Sequence, residues 1–150
     1  MNYETLLSFI RHVGHAYASY SQDVLGDISL NRTALSILLF LSENPDGCTA
    51  RDISKTKNIK ANVISMNVDK LVQDGYLERQ SVEGDRRKVK LVCTKKAYPL
   101  IEQGLKMRND FETFMREGIS PEDSEVLNRC LCTIKNNAKN LTDNSQRQLH

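Results

Sequence analysis

Four cations, Arg86, Arg87, Lys88 and Lys90, crowd the stretch SVEGDRRKVKLV between Ser81 and Val92. A Gly-Asp turn between β-branched runs reads as a hairpin, with strands over Tyr76–Gln80 and Lys88–Cys93 and a turn at Glu83–Arg86. The charges therefore sit on its tip and return strand. Like charges this close repel, so the arrangement becomes favourable when an anionic surface meets it. A second group has chemistry of the same kind. If Ala61–Asp74 is a helix, Ile64, Val68, Leu71 and Val72 share one stripe. The opposite side offers Asn62, Ser65, Met66, Asp69 and Lys70, with Lys60 and Ala61 at the start. Such side chains match base edges in the major groove of duplex DNA: Asn62 with adenine, Ser65 with a base or phosphate, Met66 with a thymine methyl. Asn and Ser are weaker helix formers than the alternatives, which favours readout over plain helix stability. A hairpin beside that helix would lie over the minor groove, where arginine is favoured. Asp85 is expected to brace one guanidinium while the other enters the groove.

Other reactive residues group less well. His12 and His15 are spaced i, i+3, a geometry open to metal, but only Glu4 precedes them as an acid. They read as helix surface or as part of a ligand pocket, and no metal site is expected. Cys130 falls on an apolar stripe and reads as core, while Cys132 points to a different face, so the two make a poor zinc pair. A redox role would fall to Cys48, Cys93 or Cys132. No G-x-S-x-G, phosphate-cradling glycine loop, H-E-x-x-H or Cys/His pair is present, so no enzyme, catalytic residue or cofactor is expected.

The 150 residues suffice for one domain with a core, and 39% hydrophobic with 27% charged residues fits a globular chain. The net charge of +2 hides an asymmetry. Arg51–Lys96 holds 12 Lys/Arg against 6 Asp/Glu, and the rest of the chain 9 against 13. A basic middle between acidic ends suggests a nucleic-acid face. No apolar run approaches the roughly 20 residues of a membrane span. MNYETLLSFIRH has acid where a signal peptide has base, so a cytoplasmic protein with reduced thiols is expected.

These side chains need elements to hold them. Apolar residues from Leu6 to Val24 recur every three or four positions, a long amphipathic helix over Tyr3–Leu25. Asn31 can cap a second helix, whose ALSILLFL is apolar nearly all round and so central. Thr49 with Asp52 resembles a capping box opening a helix over Ala50–Lys57, and Gly75 suits the end of the helix from Ala61. Thr94–Glu117 reads as helical with Pro99 in its first turns. Ser120-Pro121 starts a last helix running to Leu141, followed by a frayed polar tail at 143–150. The expected fold is mainly α with a small β-hairpin wing: a winged helix-turn-helix core over about 31–95, flanked by helices at about 3–25 and 95–141, in one domain over 1–142.

The run LNRTALSILLFLSENPDGCTARDISKTKNIKANVISMNVDKLVQDGYLERQSVEGDRRKVKLVCTKKA resembles the core of the MarR family of bacterial transcriptional regulators. The likeness rests on the TARDIS helix start, VDKLVQDGYLER ending the recognition helix, the GDRRKVKL wing and the Thr-Lys-Lys-Ala that follows. It implies a homodimer held by the first and last two helices, palindromic double-stranded DNA operators, action as a repressor, and release by a small aromatic or phenolic effector. For that effector His12, His15, Tyr17 and Tyr20, with Arg32, could supply an aromatic wall and a donor or cation. Met66 stands where the family often has Arg, and Asn67 where it often has an apolar residue; both bear on which operator is read. Two alternatives carry the same fold: a protein–protein interaction module, and a cysteine-based redox sensor. The wing cations suit phosphates better than an apolar partner.

Overall fold

A computed structural model describes residues 2–26, 30–82 and 85–147, with side chains at all of these but 85–87 and 143–147. The elements are α1 (Tyr3–Leu25), α2 (Arg32–Ser42), α3 (Ala50–Lys57), α4 (Ala61–Gln73), β1 (Leu77–Val82), β2 (Asp85–Cys93), a 3-10 turn (Lys95–Ala97), α5 (Tyr98–Arg116) and α6 (Pro121–Arg147). This is the expected mainly helical architecture with one antiparallel two-stranded wing. The chain forms two compact units, residues 1–111 and 112–150. Among the described residues, the side chains buried from solvent all fall in the first.

In the first unit α2 is central because it is apolar on every side. Ala34, Leu35, Ile37, Leu38, Leu39 and Leu41 are all buried. Ile53, Ile64, Val68, Leu71, Leu77 and Leu91 join the same cluster. Gly104 lets α5 approach α2: a Cβ there would stand 3.0 Å from Leu35 Cδ1 and from Leu39 Cδ2.

Local chemistry sets the helix ends. Asn31 Oδ1 accepts from Ala34 N at 2.9 Å. At α3 the capping box is complete: Asp52 N donates to Thr49 Oγ1 at 3.2 Å, and Thr49 N to Asp52 Oδ2 at 3.0 Å. The Thr49 hydroxyl also donates to that carboxylate at 2.7 Å. These bonds hold the Asp52 carboxyl below its usual range. A lowered folded-state pKa means the box is intact at neutral pH and is lost as pH falls through that value. Thr49→Ala is expected to cost about 0.5–2 kcal/mol. A urea midpoint matching the parent chain's would contradict this.

Asn58 takes a left-handed φ of 52° to close α3, and Ser54 Oγ donates to Ile59 O at 2.7 Å across the turn into α4. Gly75, at φ 77°, ends α4. Its N–H reaches Val72 O at 3.0 Å and that of Tyr76 reaches Leu71 O at 2.8 Å, the paired bonds of a Schellman motif.

Several boundaries differ from expectation. The ladder runs from Leu77↔Cys93 to Val82↔Asp85, with an irregularity after Ser81, so the wing is longer than the residue types suggest. Asp85 and Arg86 belong to β2 and not to a turn, because backbone pairing is indifferent to the charge of the side chains. Glu83 and Gly84 of the expected turn lie outside the described residues. Leu91 N also donates to Cys48 O at 2.9 Å, fastening the wing's base to the loop before α3. The helix expected from Thr94 begins instead with the 3-10 turn, and α5 proper starts at Tyr98.

The second unit is built on α6 and the last residues of α5. Ser120 caps α6, accepting from Asp123 N at 3.1 Å. The helix continues through Arg147, past the expected stop at Leu141: no Pro or Gly interrupts TDNSQR, and Thr142 Oγ1 bonds Lys139 O at 2.7 Å in helical register. The expected tail at 143–150 is thus helical in backbone to Arg147, and 148–150 lie outside the described residues. Cys130, expected in the core, is exposed. Periodicity placed it on an apolar stripe, but that stripe is uncovered: Val126, Leu127 and Leu131 are exposed as well.

Candidate nucleic-acid interface

The first unit contains α3, α4 and the wing. Ile64, Val68 and Leu71 anchor α4 to the core. The face opposite carries Lys60, Ala61, Asn62, Ser65, Met66 and Lys70, all exposed. Met66 is 70% exposed, a large apolar side chain left in water on a face of polar neighbours. Asn67 is buried, and its Nδ2 donates to Val63 O at 2.8 Å, so the amide is satisfied within the helix. Asp69 is ion-paired with Arg79 of β1, which ties this helix to the wing. The first turn of α4 holds no acid, and Lys60 makes no side-chain cap there. The positive end of the helix dipole therefore meets a lysine and not a carboxylate, a setting that suits a phosphate.

In the wing, Lys88 is exposed. Lys90, on the same strand, donates from Nζ to Asp46 O at 3.0 Å and braces the wing's base. Lys96 is likewise engaged, donating to Asp74 O at 2.7 Å above the Tyr76 ring. The side chains of Asp85, Arg86 and Arg87 lie outside the described residues.

The residues expected to hold an effector are brought together in part. Tyr17 and Arg32 line a cavity of about 130 Å³ between α1, α2 and α5, with Lys57, Met107 and Arg108 on its wall. Tyr20 packs with Tyr17 around Phe111, at ring centroid distances of 5.9 and 5.1 Å. His12 and His15 are exposed and do not line it. His12 Nδ1 instead lies 2.7 Å from Ser8 O. Sequence reasoning missed Lys57, Met107 and Arg108. They come from two other helices, and no spacing relates them to Tyr17.

Burial raises the Cys48 thiol, with Asp52 adding to the shift and Lys90 opposing it. Burial pushes Cys93 up to about 11. Both shifts reduce the thiolate on which redox sensing depends. Among the described residues, no three His, Cys, Asp or Glu side chains group so as to hold a metal. Among them, too, no helix is long and apolar enough to cross a membrane.

Residues 28–88 match the model of the MarR family. Among curated proteins, the HTH-type transcriptional regulator BilQ of Clostridium symbiosum (strain WAL-14163) is 24% identical over 93 residues, 62% of this chain. The match spans 64% of that protein, under two thirds of its length. Among solved structures, the transcriptional regulator SlyA superposes with a TM-score of 0.80 at 19% identity, covering 89% of this chain and 93% of SlyA. Bordetella bronchiseptica BpsR, whose DNA binding is regulated by 6-hydroxynicotinic acid, gives a TM-score of 0.71 at 17% identity, covering 85% and 91%. Residues 28–88 are thus a MarR-family segment, carried in a chain with the winged helix-turn-helix fold of MarR-type transcriptional regulators.

Proposed function

We propose that this chain is a cytoplasmic transcriptional regulator that binds a palindromic double-stranded DNA operator as a homodimer, represses there, and is released by a small aromatic effector. The observation that carries the reading is α4. One face is locked into the core by Ile64, Val68 and Leu71, while the other presents Lys60, Asn62, Ser65, Met66 and Lys70 to solvent. That is how a helix is set to enter the major groove with its N-terminal residues on base edges. Lys88, Arg86 and Arg87 on the adjacent hairpin then serve phosphates and the minor groove, with Asp85 holding one guanidinium. Exposed Phe9 and Ile10 on α1, and Val126 and Leu127 on α6, are apolar surface of the kind a two-fold partner covers. Arg32 and Lys57 beside Tyr17 give the α1–α2–α5 cavity an aromatic side and a cationic one, suited to an aromatic acid. Such a ligand shifts the equilibrium by its differential affinity for the DNA-bound and released spacings of the two recognition helices.

Selection from a random duplex pool tests the reading. It predicts enrichment of inverted repeats about one helical turn apart; a pool left unenriched by the folded chain would overturn it. With the operator in hand, Asn62→Ala is expected to relax discrimination at a particular base position by about 1–3 kcal/mol. A loss spread evenly over all sequences would instead mark Asn62 as a backbone contact.

A further inference from the structure

A second pocket, of about 340 Å³, lies at the base of the wing, where the end of α2 meets the last residues of β2 and the first turns of α5. Leu41, Val92 and Ile101 form its apolar wall. Three of its polar side chains already donate to carbonyls of α2. Ser42 Oγ donates to Leu39 O at 2.8 Å, Asn44 Nδ2 to Phe40 O at 2.8 Å, and the Cys93 thiol to Leu38 O at 3.8 Å. What they offer a guest is mainly acceptors: the Ser42 lone pairs, the Asn44 Oδ1 and the carboxylate of Glu102, which also lines the pocket. Among the described residues no Lys, Arg or His lines it, so Glu102 is its one formal charge. The cavity beside Tyr17 is the reverse, with Arg32, Lys57 and Arg108 on its wall and no acid among the described residues.

We infer that the pocket at the base of the wing binds small lipophilic cations, aromatic amines above all. The ring system of such a ligand lies against Leu41, Val92 and Ile101, removing apolar surface from water. Its ammonium group reaches the Glu102 carboxylate, with the exposed Tyr98 ring adding a cation–π contact. The site is separate from the cavity beside Tyr17, and its occupant joins the end of β2 to the start of α5.

The test uses the full chain with three matched probes: 1-naphthylmethylamine, the neutral 1-naphthalenemethanol and 1-naphthoic acid. Calorimetry gives affinity, and methyl resonances of Leu41, Val92 and Ile101 report location. The amine is expected to bind saturably and shift those methyls, the alcohol to bind more weakly, and the acid to leave them unmoved. Glu102→Gln should weaken the amine about fivefold and leave the alcohol unchanged. Val92→Phe, which fills the space, should remove both. Equal amine affinity in the parent and Glu102→Gln chains would overturn the inference. So would no saturable amine binding up to millimolar concentration by a chain that NMR shows folded, or shifts confined to methyls of Leu35 and Met107.

Discussion

Alanine at both Arg86 and Arg87 is expected to weaken duplex binding across all sequences and to flatten the dependence of log affinity on log salt by about one to two units. The physical basis is counterion release: each phosphate neutralised by a fixed cation frees condensed ions, at about 0.9 of a unit of slope per contact in B-DNA. Within the hairpin Lys90 braces the base through the Asp46 carbonyl, while Lys88 is exposed and Arg86 and Arg87 are the cations nearest the turn. Removing two adjacent cations of the hairpin should therefore have a large effect. If the arginines read the narrow minor groove more than phosphate, affinity will fall further than the slope. Unchanged affinity in a folded chain would contradict the assignment of the wing to DNA.

Leu71→Ala is expected to be the most damaging single change to the fold near the site, at about 2–5 kcal/mol. Leu71 is 0% exposed, one of the side chains that hold α4 on the core, and its carbonyl accepts the Tyr76 N–H that closes the helix. Domains of this size are stable by only about 5–15 kcal/mol, so the loss is a large share. Equilibrium urea unfolding measures it. A loss under about 1 kcal/mol, typical of a volume-conserving swap, would mean that α4 is not seated as described.

The elements most legible in the sequence were those fixed by chemistry local to the chain. Asn31, the Thr49–Asp52 pair and Gly75 each satisfy backbone groups within a few residues, so their types announce the helix ends they make. The apolar run ALSILLFL announced a central helix for a similar reason: a surface helix cannot be apolar on every side. The expectations that failed turn on partners far away in sequence. Lys90 reads only as a wing cation, and its bond to the carbonyl of Asp46, 44 residues earlier, has no sign in its own stretch. Cys130 reads as core because periodicity gives a stripe without saying what covers it. Of the effector residues, Tyr17 and Arg32 share a cavity while His12 and His15 face solvent, and their order along α1 could not separate the two outcomes. The pocket bounded by Val92, Ile101 and Glu102 had no signature in sequence, because its character depends on which hydrogens its polar groups have already given to α2 carbonyls.

Affinity of the full chain for its selected duplex against a scrambled duplex, measured from low to high salt, decides whether the chain reads DNA sequence. Binding to both is expected to be steeply salt-dependent, with the selected duplex about a thousandfold or more tighter at physiological salt. Equal affinity for the two duplexes, or binding indifferent to salt, would contradict it.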